Sequence, residues 1–142
     1  MTLAKVENLS NIKPESHRID WVAPDALPIV WPHILPFLEK SLDKFTTSEM
    51  VYSAVSQGVA KLWVFHKDWI DGFAVTSING DTGLIEKAGG RNLKSWFSDA
   101  IKKIEEDFKS AGCTTYQVAS RKGWIKLIQP DEIDYLLTKV LR

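Results

Sequence analysis

AGGRNLKSWFSDAIKKIEEDFKSAG, residues 88–112, decides how the rest of the chain is read. Leu93, Trp96, Phe97, Ala100, Ile101, Ile104, Phe108 and Ala111 recur at three- and four-residue steps. That spacing places them on one stripe of a helix with 3.6 residues per turn, while Lys94, Ser98, Asp99, Lys102, Lys103, Glu105, Glu106 and Lys109 face water. Asn92 suits the N-cap, because its side-chain oxygen can accept a free backbone N–H. Gly112 suits the C-cap, because glycine takes the left-handed turn without strain. The stretch therefore predicts a strand, a Gly-Gly-Arg loop and a capped amphipathic helix. Such a loop lets backbone N–H groups approach an anion at the positive end of the helix dipole. A tight turn without a ligand is the plainer reading of the same glycines.

Length and charge narrow the field. At 142 residues the chain is large enough for one domain with a single core. Eighteen basic residues balance eighteen acidic ones, which disfavours nucleic acid or an anionic membrane as partner. Cys113 is the lone cysteine, so no intramolecular disulfide forms and a reducing compartment is expected. No apolar run approaches the ~18 residues that span a bilayer. The first residues carry no apolar signal core, so secretion is not expected.

Residues 1–16 read as a polar arm and residues 17–142 as the single domain. His17–Val22 alternates as a first strand, and Pro24 and Asp25 mark a turn. Prolines 28, 32 and 36 predict a helix that either begins near Leu35–Pro36 or is kinked, with Phe37, Leu38, Leu42 and Phe45 as its apolar face. Thr46–Glu49 reads as a capping box for a second helix, with Met50, Val51, Ala54 and Val55 inward and Gly58 at its end. Ala60–His66 and Trp69–Ile78 predict an antiparallel hairpin. Asn79–Gly83 is a turn, and Leu84–Ala88 is a third strand leading into the Gly-Gly loop. Thr114–Ala119 is a returning strand that gives one parallel pair in an otherwise antiparallel sheet. Arg121–Gln129 reads as a short helix stopped by Pro130. Ile133–Leu141 reads as a strand, though its composition suits a terminal helix equally.

This order resembles that of the GNAT superfamily of acyl-CoA N-acyltransferases over about residues 17 to 142. The specific part is Ala88-Gly89-Gly90-Arg91, Ala111-Gly112-Cys113 and Ser120-Arg121-Lys122-Gly123-Trp124. With Trp31 and Leu62-Trp63-Val64, this looks like a group of small GNAT-like proteins of tailed bacteriophages. The resemblance implies an α/β (α+β) fold with a mixed, mostly antiparallel sheet and helices on both faces. It implies acetyl-CoA or coenzyme A as cofactor, its pyrophosphate held at Gly89, Gly90, Arg91, Asn92 and Leu93. The strands on either side of the loop are implied to splay and admit the pantetheine arm.

The implied reaction is attack of an amine on a thioester, which needs a base, an oxyanion site and an acid for the departing thiolate. Glu86 is the best-placed base; a solvated strand glutamate is the plainer reading. Ile128 stands where the family often has a tyrosine acid, and Glu132-Ile133 where a Gly-Phe pair is common. His33 and His66 read as surface or helix-start residues, and Cys113 as a small buried thiol with no histidine to activate it. No Cys/His cluster suggests a metal. The leading reading is thus a phage-type N-acetyltransferase with a partly degenerate site, acting on an unknown amine in the host cytoplasm. The alternative is a non-enzymatic protein, in the virion or directed at a phage or host protein, that keeps the fold as a scaffold.

Overall fold

Leu62, Trp63, Val64 and Phe65 are all buried, although successive strand side chains point to opposite faces. Both faces of their sheet must therefore be covered, and they are. The computed structural model of the chain describes residues 18–42, 44–119, 132–133 and 136–141. Its elements are β1 (Arg18–Val22), a short 3-10 turn (Pro24–Ala26), α1 (Leu27–Ser41), α2 (Ser48–Ser56), β2 (Lys61–His66) and β3 (Ile70–Asn79). These are followed by β4 (Thr82–Gly90), α3 (Leu93–Ser110), β5 (Thr115–Ala119), β6 (Glu132–Ile133) and β7 (Leu136–Val140). The seven strands lie in the order β1-β2-β3-β4-β5-β7-β6. Every neighbouring pair is antiparallel except β4 with β5. The expected arm at residues 1–16, the short helix at 121–129 and the Arg121–Trp124 element lie outside the described residues.

On one face α3 presses Trp96, Phe97, Ala100, Ile101, Ile104 and Phe108 onto Trp63, Phe65, Ala74, Ile85, Tyr116 and Val118. On the other, α1 and α2 cover Leu62, Val64, Phe73 and Val75 with Leu27, Val30, Ile34, Leu38, Val51 and Val55. From Trp96 to Phe108 the amphipathic stripe thus docks as its spacing requires, while Ala111, one residue past the helix, is exposed. The helix ends as a Schellman turn: the Cys113 N–H reaches the Phe108 carbonyl (2.9 Å), the Gly112 N–H reaches that of Lys109 (3.0 Å), and Gly112 has φ +89°.

One open alternative is decided and two expectations are corrected. The proline-rich segment does not delay its helix to residue 35; α1 runs from Leu27 with Pro32 and Pro36 inside it. Pro28, Pro32 and Pro36 stand four residues apart, so they share one face of α1, and all three are exposed. The carbonyls that proline leaves without a helical donor thus lie on the wet side. Second, α2 is capped by Thr47, not Thr46. The Met50 N–H donates to Thr47 Oγ1 (3.2 Å) and the Thr47 N–H to Met50 Sδ (3.5 Å), so Met50 replaces Glu49 in the capping box. Third, that role leaves Met50 exposed rather than inward, and Phe45, beyond the end of α1, is 76% exposed.

Ile104 is buried at the centre of the α3 contact. Ile104→Ala is expected to lower unfolding free energy by about 2–5 kcal/mol, read from urea denaturation.

Candidate functional site

β4 has two neighbours over its first half and one over its second. Thr82 to Ile85 pair in parallel with Thr115 to Val118. There the pairing with β4 stops, while on its other edge β5 pairs with β7 along its whole length, through Ala119 with Leu136. On the β3 side, Thr76 pairs with Ile85 and Val75 with Lys87, so Glu86 is an extra residue in a β-bulge. A bulge bends its strand and re-aims its side chain; Glu86 is exposed. From Lys87 to Gly90, β4 is paired with β3 and not with β5 among the described residues. Alternate peptide groups along that segment point away from β3 and form an edge beside β5.

The glycines do not form the loop; they lie in the strand. Gly89 pairs with Phe73 and Gly90 with Gly72. A Cβ on Gly90 would stand 2.3 Å from the Asp71 carbonyl oxygen, and the residue has φ +151°. Packing within the protein therefore accounts for glycine at position 90. The loop proper is Arg91 and Asn92. The Arg91 N–H donates to the Asp71 carbonyl (2.8 Å) and its Nε–H to Asp71 Oδ1 (3.0 Å). The guanidinium lies over the Phe37 ring, 5.7 Å from its centroid, and the side chain is 57% exposed. The Trp96 indole N–H donates to the Arg91 carbonyl (2.7 Å).

Asn92 occupies the N-cap position of α3, but its side chain makes no cap bond, and the residue is left-handed (φ 55°, ψ 36°). Its carbonyl instead accepts from the Ser95 N–H (2.9 Å) and hydroxyl (2.6 Å). The N–H groups of Leu93 and Lys94 open the helix, where no intrahelical acceptor exists for them. Glu86, Gly89, Gly90, Arg91, Asn92 and Leu93 thus follow one another along the β4 edge and the turn into α3. Ile128 lies outside the described residues.

The other candidates separate from this site. His66 is no surface residue: it is fully buried at the end of β2, its Nε2 2.8 Å from Asp20 Oδ2. His33 is exposed on α1. Cys113 is buried just past α3, and burial, then the charges of Asp81 and Asp107, push its thiol up, so it stays protonated and a poor nucleophile. Among the described residues no group of three or more His, Cys, Asp or Glu is placed to hold a metal ion, and no helix is long and apolar enough to cross a membrane.

Asp71 and the Trp96 indole escaped sequence reasoning. Asp71 is the extra residue of a second bulge, where Phe65 pairs with Gly72 and His66 with Ile70. One signal pointed that way: Gly72 interrupts an apolar strand, and glycine there marks a close approach. A Cβ on Gly72 would meet the Trp96 ring at 2.6 Å.

No protein-family model matches the chain, and no curated protein matches it in sequence. In three dimensions it is similar to Tetrahymena GCN5, with TM-score 0.67 and 9% identity, covering 88% of this chain and 96% of that one. It is similar to a GNAT family acetyltransferase from Brucella melitensis in complex with acetyl-CoA (TM-score 0.64, 12% identity, 89% of each chain). It is likewise similar to the PaiA N-acetyltransferase of Thermoplasma acidophilum in complex with coenzyme A (TM-score 0.63, 10% identity, 88% of this chain and 99% of that one). Identities this low establish the fold: the chain has the architecture of the GNAT acetyltransferases.

Gly90→Ala combines an unfavourable backbone angle with a collision at Asp71. It is expected to cost more than about 2 kcal/mol. Gly112→Ala, where nothing lies within 4 Å of an added Cβ, is expected to cost about 1 kcal/mol from its left-handed backbone alone. Urea denaturation of the two variants side by side checks the order.

Proposed function

We propose that this chain is an acyl-CoA-dependent N-acyltransferase that uses acetyl-CoA as donor and an amine as acceptor. The observation that carries the reading is the β4 edge from Glu86 to Gly90, which parts from β5 after Ile85 and runs straight into the start of α3. An extended chain with amide groups can pair along that edge, and an anion at its end meets the first-turn N–H groups and the helix dipole. That is the shape and charge of a pantetheine arm joined to a pyrophosphate. Two of the similar structures hold acetyl-CoA or coenzyme A.

In this reading Gly89 and Gly90 supply edge backbone, and Arg91, Asn92 and Leu93 form the turn that receives the pyrophosphate. Acetyl-CoA supplies an activated acyl group on a thioester. Glu86, exposed at the bulge midway along the strand, takes the proton from the ammonium form of the acceptor. The finer reading is a small phage-type protein with Ile128 in place of an acid. A thiolate is a good enough leaving group to depart unassisted, so turnover is slow rather than absent.

One observation favours the second reading, a scaffold that binds a protein partner: the Arg91 guanidinium turns back onto Asp71 and Phe37. Calorimetry separates the two. Heat of binding is expected for both coenzyme A and acetyl-CoA, and its absence at millimolar ligand would rule out a competent donor cleft and favour the scaffold reading. Glu86→Gln is expected to lower kcat by about a hundredfold or more while the dissociation constant of coenzyme A stays put. Equal turnover by the variant would remove Glu86 from the mechanism.

A further inference from the structure

The turn into α3 is held by Asp71, Ser95 and Trp96, groups that no expectation about ligand binding requires. We propose that Asp71, Arg91 and Trp96 form a clamp that presets this turn for a pyrophosphate-bearing donor, with Asp71 and Trp96 as positioning residues; the inference rests on the acyltransferase reading. The bulge in β3 frees Asp71 from strict pairing with β2 and aims it at the end of β4. There its backbone carbonyl takes the Arg91 N–H at 2.8 Å and its carboxylate takes the Arg91 Nε–H at 3.0 Å. The Trp96 indole N–H donates to the Arg91 carbonyl at 2.7 Å.

The ring that makes this bond cannot drift. It stacks on Phe65 with centroids 4.3 Å apart, and it lies so close to Gly72 that a Cβ there would strike it at 2.6 Å. Both backbone polar groups of Arg91 are therefore engaged inward, and the Asn92 carbonyl is engaged by Ser95. These bonds fix the peptide planes before α3, and the N–H groups that open the helix have no acceptor within it. Asn92 is left-handed at the pivot, a conformation asparagine adopts more readily than other non-glycine residues. A turn preset in this way does not have to be ordered by the ligand, which raises affinity.

The clamp acts only on the pyrophosphate end, so it has a signature that a purely structural role lacks. Trp96→Phe keeps a ring on Gly72 and Phe65 but removes the N–H. With acetyl-CoA, kcat/KM is expected to fall on the order of tenfold through KM. With S-acetylpantetheine, which has no pyrophosphate, kcat/KM is expected to stay the same. Asp71→Asn, which keeps an oxygen for the Arg91 Nε–H, is expected to retain most of the coenzyme A affinity that Asp71→Ala loses in calorimetry. Equal loss with both donors, or coenzyme A affinity untouched in Trp96→Phe and Asp71→Ala alike, overturns the clamp. A wild-type protein that binds coenzyme A separates that result from failure of the acyltransferase reading, in which neither donor binds at all.

Discussion

A strand can pair fully with two neighbours only while all three stay in register, and β4 abandons one of them halfway. The extra residue Glu86 shifts its pairing with β3 just where its parallel pairing with β5 ends. Much of the candidate site follows from that single insertion. The bend leaves an edge of backbone without β5 as partner, brings a carboxylate out into solvent at its start, and directs the strand end toward the first turn of α3. An uninterrupted parallel ladder would have closed the same edge with hydrogen bonds and left nothing for a ligand to pair with.

The far end of that edge is governed by packing rather than by loop flexibility. Gly72 admits the Trp96 ring and Gly90 admits the Asp71 carbonyl, each closer than any Cβ would allow. The two glycines face each other across β3 and β4, and both look toward protein. The Gly-Gly pair that suggests an anion loop in the sequence is thus a strand end pared down for close approach. What an anion would meet is the turn beyond it, whose orientation depends on a buried aspartate and an indole brought from two other elements.

The rest of the fold serves to hold this corner still. α3 carries Trp96 in its first turn and is anchored along its length by Phe97, Ile101, Ile104 and Phe108. Its far end is tied by the Lys61–Asp107 ion pair at 2.8 Å and by the Tyr116 hydroxyl donating to Glu105 at 2.6 Å. α1 supplies Phe37 beneath the Arg91 guanidinium. Its three prolines are tolerated because their four-residue spacing keeps them all on the exposed side.

Local pattern was enough to read the α3 stripe from Trp96 to Phe108, the β2–β3 hairpin and the parallel return through β5, whereas the C-terminal segment, read as one strand or equally a helix, is two short antiparallel strands. The first three rest on periodicity or turn chemistry confined to a few neighbouring residues. The same pattern brought Glu86 and the residues from Gly89 to Leu93 into one stretch, because they are contiguous in the chain. It misread Thr46, Met50 and Asn92, where a one-residue shift of a cap, or a carbonyl in place of a side chain, satisfies the same helix end. Apart from the interruption at Gly72, it gave no sign that Glu86 and Asp71 are bulge residues, that His66 is buried against Asp20, or that Trp96 grips the Arg91 carbonyl. These depend on strand register and on contacts between residues up to 46 positions apart, and only the assembled sheet decides them.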